Sequence, residues 1–88
     1  MNKITNFFTS IGLCIGDIII NRNNEYYEIL YFEKVSGLFG EHKIKCKGIY
    51  GSRRGNICTA YESDFKYGDL IKATKEQVDN LNKLIVFT

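Results

Sequence analysis

The sequence predicts a mainly β fold, a small antiparallel barrel of about five strands followed by one C-terminal α-helix. Three observations predict it: apolar and polar residues alternate with a period of two, turn residues separate these runs, and a helical apolar stripe ends the chain. At 88 residues the chain has room for one core. We therefore expect a single domain, 1–88, with the barrel at 16–73 and the helix at 74–87.

The first predicted hairpin joins two apolar runs through a turn rich in asparagine. The runs are Gly16–Ile20 and Glu25–Glu33, and asparagine suits the left-handed conformations of tight turns. The longer run has apolar residues on both faces, with Tyr27, Ile29 and Tyr31 expected on one of them. Such a strand is either covered on both sides or carries an exposed aromatic face, and both readings make it central.

The second predicted hairpin, Glu41–Tyr61, has a basic tip. Its first strand alternates lysines with smaller, more apolar residues, so the lysines should share one face. The turn, Gly51–Gly55, contains two arginines between glycines that permit positive φ. A loop, Val35–Gly40, links the two hairpins and carries the apolar pair Leu38 and Phe39 at its tip.

The last part of the chain changes from strand to helix signals. Asp64 and the Gly68-Asp69 pair indicate turns, and Leu70–Ala73 can supply a short closing strand. Thr74 and Gln77 have the spacing of a capping box at a helix N-terminus. An apolar stripe follows at helical spacing, formed by Val78, Leu81, Leu84 and Ile85. At the other end, Lys3–Ser10 predicts a short helix or an irregular lid over the barrel.

The three cysteines predict a reducing compartment, because their number is odd and no CxxC pair is present. No secretory signal is visible, and the apolar run Ile11–Ile20 is interrupted and too short for a membrane span. We therefore expect a cytoplasmic protein without a membrane association. Cys46, on the smaller and more apolar face of its strand, should be buried and reduced.

The residue types that support catalysis are present but do not form a recognisable site. His42 with Cys46 and Cys58 could bind zinc, yet the close-spaced ligand pairs of zinc sites are missing. A Cys–His catalytic pair needs mutual hydrogen-bond reach, which residues 42 and 46 lack along an extended strand. The carboxylates at 62, 64 and 69 are typical of turns. We therefore expect no enzymatic activity, no metal and no cofactor.

Positive charge is concentrated between Lys34 and Arg54, which holds six of the twelve basic residues and one of the ten acidic residues. Such a patch could bind nucleic acid or a ribonucleoprotein, with phosphates on the cations and bases on an interleaved tyrosine. The alternative is a solvated strand face whose lysines prevent edge-to-edge pairing. The candidate binding residues are Lys43, Lys45, Lys47, Tyr50, Arg53 and Arg54.

Several short segments of the chain resemble those of two known protein families. The opening GDIII at Gly16–Ile20 and the phrase IKATKEQVDNL at Ile71–Leu81 resemble the small SH3-like barrel proteins of bacteriophages and other mobile elements. A fainter similarity is to the N-terminal barrel of translation factor five A and elongation factor P. It rests on the order of four segments along the chain: GDIII, Ser36–Ile44, Gly48-Ile49 and Ile57-Cys58. Those factors have a modified lysine at the position of Leu38, so this similarity supports the barrel and not the translation role.

The resemblance to phage proteins implies a second class of function. A small barrel of this kind could inhibit or modulate a host protein, such as a component of a defence system, in the cytoplasm of a bacterial host. The contact surface would then include Leu38 and Phe39 together with the aromatic strand. Both hypotheses describe a binding module rather than an enzyme, and they differ in whether the partner is nucleic acid or protein.

Overall fold

A computed structural model describes residues 7–33 and 40–86 of the chain. Five strands and three helices are present in this part. The strands are β1 (Ile18–Asn21), β2 (Tyr26–Glu33), β3 (Lys43–Tyr50), β4 (Ile57–Tyr61) and β5 (Leu70–Lys72), and the helices are α1 (Phe7–Ser10), α2 (Glu62–Lys66) and α3 (Lys75–Val86).

The strands form one antiparallel sheet in the order β4-β3-β2-β1-β5. Both predicted hairpins, the closing strand and the C-terminal helix are therefore confirmed. The predicted closure into a barrel is not seen, because the described strands β4 and β5 form the two edges of the sheet and do not pair. The chain connects these edges through α2, which contacts both β4 and β5 and so lies between them.

The turn between β1 and β2 is built by its asparagines, as the sequence predicts. Asn24 has a positive φ of 59°. The side-chain oxygen of Asn21 accepts hydrogen bonds from the backbone N–H groups of Asn23 and Glu25, each at 2.9 Å. These bonds among neighbouring residues stabilise the turn locally.

A β-bulge interrupts the alternation of β2. The register on β3 shifts between Ile29 and Tyr31, so that Leu30 is left without a partner in the ladder. The prediction that Tyr31 shares a face with Ile29 is therefore wrong, because an extra residue in one strand moves every later side chain to the opposite face. Ile29 is fully buried, whereas Tyr31 is 50% exposed.

One face of the sheet, the inner face, packs the main hydrophobic core. Ile19, Ile29 and Ile44 are fully buried there. The N-terminal segment covers them with Phe8, whose ring stacks on Phe32 at a centroid distance of 5.9 Å and meets other rings edge-on. Burial of one such side chain stabilises the fold by about 1.5–3 kcal/mol relative to exposure.

Helix α3 covers part of the opposite face, the outer face. It packs Leu81 into a second cluster with Ile20, Tyr26 and Ala73. The predicted capping box is present: the backbone N–H of Gln77 donates to Thr74 Oγ1 at 3.1 Å, and Gln77 Oε1 accepts from the Thr74 N–H at 2.8 Å. The helix therefore begins where the sequence predicts.

Helix α2 differs from the sequence prediction, which gives this segment a turn at Asp64 and no helix. The carboxylate of Asp64 accepts a hydrogen bond from the backbone N–H of Tyr61 at 2.8 Å. A carboxylate at this position satisfies one of the unpaired donors at a helix N-terminus. The acidic residues that indicated a turn therefore begin a short helix.

Candidate functional site

The outer face of β2, β3 and β4 is left uncovered beyond the second cluster. Three rows of register partners cross it: Glu28–Lys47–Ile57, Tyr31–Lys45–Thr59 and Glu33–Lys43–Tyr61. Directly opposed residues in an antiparallel pair point to the same side of the sheet. These nine residues therefore form one surface, which we call the open face.

The three lysines of β3 run down the middle of the open face, as their alternation predicts. The residues between them point inward, and Ile44, Cys46 and Gly48 are all buried. Lys47 is exposed, and no described residue forms an ion pair with it or with Lys43. Lys45 is bound within the protein, to Glu33 at 3.4 Å and to the hydroxyl of Thr59.

Two glutamates of β2 lie beside the lysines. Glu28 is the register partner of Lys47, and Glu33 is the register partner of Lys43. On the other side, the partners from β4 are Ile57, Thr59 and Tyr61, none of which is acidic. We call Lys43, Lys45 and Lys47 the lysine column. Its positive potential is therefore weakened toward β2 and retained toward β4.

Three large apolar side chains are exposed on the open face. The exposed fractions are 50% for Tyr31, 57% for Ile57 and 40% for Tyr61. Tyr31 and Tyr61 lie on the strands that flank β3, so the lysine column runs between two aromatic rings. The residues predicted to bind nucleic acid included neither tyrosine, although the alternative of a protein partner included the aromatic strand that carries Tyr31. The alternation of β4 places Tyr61 opposite Lys43, whereas nothing in the sequence indicates the bulge that exposes Tyr31.

The turn that carries the arginines is held in a fixed shape. Gly48 lies under it: the Gly48 N–H donates to the Asn56 carbonyl at 2.9 Å, and the Gly48 carbonyl accepts from the Gly55 N–H at 2.8 Å. A Cβ at Gly48 would lie 2.0 Å from the carbonyl oxygen of Arg53, so only glycine fits there. The arginines are consequently displayed by a compact turn.

Glu25 anchors this turn to the neighbouring one. Its carboxylate accepts from the backbone N–H of Ser52 at 2.7 Å, from the Ser52 hydroxyl, and from the side-chain amide of Asn21 at 2.9 Å. These hydrogen bonds favour the charged form, and they lower the pKa of Glu25 to about 2.

The two arginines line different cavities. Arg54 and Lys47 border a shallow cavity of about 360 Å³ on the side of the open face, together with Glu28. Arg53 borders a cavity of about 490 Å³ between the edges of β4 and β5, with Tyr27 and both Cys46 and Cys58. Lys47 and Arg54 therefore extend the open face, whereas Arg53 belongs to the gap between the sheet edges.

Three other residues that the sequence predicts to bind a partner, Tyr50, Leu38 and Phe39, are not part of the open face defined above. Tyr50 is partly buried, and its ring packs edge-on against Tyr26 at a centroid distance of 6.3 Å in the cluster under α3. Leu38 and Phe39 lie outside the described residues. The basic side chains and the exposed tyrosines are thus the groups that the structure brings together.

The structure places Cys46 on β3, Cys58 on β4 and His42 immediately before β3. Cys46 is buried and free, which confirms that prediction, and burial raises the pKa of its thiol to about 11. Cys58 is its register partner on β4. His42 Nδ1 lies 2.9 Å from the carboxylate of Glu62. Within the described ranges, no group of three or more ligand-type residues could hold a metal ion.

Within the described part of the chain, no helix is both long and apolar enough to cross a membrane. No family model, curated protein or solved structure matches the sequence or the fold.

Proposed function

We propose that this chain is a non-enzymatic binding module that contacts nucleic acid, free or within a ribonucleoprotein, through the open face and the arginine turn. The observation that carries the proposal is the column of three lysines between two exposed tyrosines. Cations that neutralise phosphates and aromatic rings that stack on bases are the two components of sequence-tolerant nucleic-acid binding.

The charge that is free to meet phosphates lies at one end of the open face. Lys47 and Arg54 border the same shallow cavity, and neither forms an ion pair with a described residue. Lys45, by contrast, is held by Glu33. Phosphate contacts should therefore depend most on Lys47 and Arg54, with Lys43 continuing the column.

The proposal extends to architecture and origin. We propose that the sheet is curled as a partly open SH3-like barrel, of the kind encoded by phages and mobile elements that the sequence resembles. The strand order, the position of α2 between the edges of β4 and β5, and the two register shifts between β2 and β3 support this architecture. Bulges increase the local twist of a strand and help a sheet to curl.

Salt-dependent binding tests the function. The double variant Lys47→Gln/Arg54→Gln is compared with Lys75→Gln/Lys83→Gln, which removes the same charge from exposed positions of α3. Binding to labelled oligonucleotides is measured by fluorescence anisotropy between about 50 mM and about 200 mM salt. The first variant should bind more weakly and lose about 0.7–0.9 of logarithmic salt slope for each phosphate contact removed. The control should retain both affinity and slope.

A protein partner is the second candidate, favoured by the three exposed apolar side chains of the open face. A phage-encoded inhibitor or modulator of a host protein, including a defence protein, would use them together with Leu38 and Phe39. An apolar interface responds weakly to salt, whereas phosphate binding weakens steeply. Capture from bacterial lysate that survives nuclease treatment and high salt would replace the nucleic-acid proposal with this one.

A further inference from the structure

We infer that the nucleic acid bound by the open face is single-stranded and that two of its bases stack on Tyr31 and Tyr61. This inference rests on the proposed function and names its ligand class. It is carried by the two exposed rings, which were not among the residues predicted to bind nucleic acid, and by their position on either side of the lysine column.

The register fixes the spacing of the two tyrosines. Tyr31 is opposite Lys45, and Tyr61 is opposite Lys43, one pair further along the same face. Because neighbouring strands lie about 4.8 Å apart and alternate residues about 7 Å apart, the two Cα atoms are separated diagonally by about 12 Å. The lysine column lies between them, so a strand that crosses the sheet can place bases on both rings and phosphates over the cations.

Exposed rings on an open sheet face select for unpaired bases. In a duplex each base is stacked between its neighbours, so a side chain on a broad surface cannot reach its flat face. Unpaired bases can be splayed onto aromatic side chains, and stacking on an aromatic ring tolerates every base. Tyr31 and Tyr61 would have no such role against a duplex, where the lysines alone would contact the phosphates.

The glutamates of β2 direct the path of the bound strand. Glu28 and Glu33 border the lysine column on the side of β2, and none of the lysines' register partners on β4 is acidic. Phosphates are repelled by carboxylates, so the backbone of the strand should follow β3 and β4. The base on Tyr31 must then reach past the column toward β2, where a carboxylate can accept a hydrogen bond from an exocyclic amino group.

The test compares one oligonucleotide sequence as a single strand and as a duplex, at low salt, with the unsubstituted protein and four variants. Tyr31→Ala and Tyr61→Ala remove a ring, whereas Tyr31→Phe and Tyr61→Phe keep it. Each alanine variant should weaken single-strand binding by about 5-fold to about 150-fold, the value of one base–aromatic stack. The phenylalanine variants should bind close to the unsubstituted protein, and duplex binding should be weaker and insensitive to all four.

Abasic sites provide a readout that a purely structural effect would not change. The unsubstituted protein should bind an oligonucleotide with abasic positions more weakly than the same oligonucleotide with all its bases. In the double variant Tyr31→Ala/Tyr61→Ala, the difference in affinity between these two oligonucleotides should largely disappear. Equal affinity for single strand and duplex, with alanine variants that bind normally, would overturn the inference and leave the proposed function standing. Failure of every oligonucleotide to bind at low salt would overturn both.

Discussion

The outer face of the sheet has two halves that share β2 and β3 but have opposite chemistry. In the half under α3, Ile20 and Tyr26 are buried against Leu81 of the helix. The other half is the open face, with its lysines, glutamates and exposed tyrosines. Strands β2 and β3 therefore contribute, with β1 and α3, to a second core at one end and carry a charged surface at the other.

The boundary between the halves is visible along β3. Lys43, Lys45 and Lys47 point outward in succession, and the next residues of the strand beyond Gly48 are Ile49 and Tyr50, which pack in the cluster under α3. The change from lysine to apolar residues coincides with the edge of the helix. The open face therefore differs from the half under α3 in carrying lysines together with exposed tyrosines.

The largest expected difference between the halves is in stability. Leu81→Ala should lower the free energy of unfolding by about 2–5 kcal/mol, because it removes a buried side chain and leaves a cavity under α3. Lys47→Ala, on the open face, should change it by about 0.5 kcal/mol or less. Urea denaturation followed by circular dichroism measures both. Similar losses for the two variants would contradict the division of the outer face.

A smaller effect is expected at the start of the covering helix. Thr74→Ala removes the hydroxyl that accepts the Gln77 N–H and should destabilise the protein by about 0.5–2 kcal/mol. Thr74→Ser keeps the hydroxyl and is the matched control. The same denaturation measurement should show Thr74→Ser close to the unsubstituted protein. If the alanine variant were equally stable, the capping box would not be needed to hold α3 on the sheet.

The third prediction concerns the anchor of the arginine turn and the dependence of stability on pH. The hydrogen bonds of Glu25 lower its folded-state pKa from 4.5 to about 2. Its contribution is therefore fully present above pH 4.5 and is lost as pH falls toward 2. The stability difference between the unsubstituted protein and Glu25→Gln should shrink over that interval.

Glu62 also has a lowered pKa, because of its hydrogen bonds with Lys66 and with His42. Comparing the unsubstituted protein with Glu25→Gln at each pH isolates the contribution of Glu25 to stability, because Glu62 is present in both proteins. Urea midpoints at neutral pH and at several values below 4.5 provide the measurement. A difference that stays constant down to pH 2 would show that Glu25 does not anchor the turn through its charge.

The sequence by itself determined the local features of this protein. The asparagine turn, the alternation of lysines along β3 and the Thr74–Gln77 capping box each depend on residues within a few positions of one another, and all were predicted. The lysine half of the candidate site follows from the same short-range pattern. So does the face of Tyr61, because the alternation of β4 places it opposite Lys43.

Only the tertiary structure decided the features that depend on distant residues. The bulge at Leu30 arises where β2 meets β3, and it exposes Tyr31 on the open face. The gap between β4 and β5 follows from the position of α2, and Tyr50 is turned toward α3 by packing with Tyr26. Strand register and helix docking are set by contacts between segments far apart in the chain, which a period of two or of 3.6 residues does not encode.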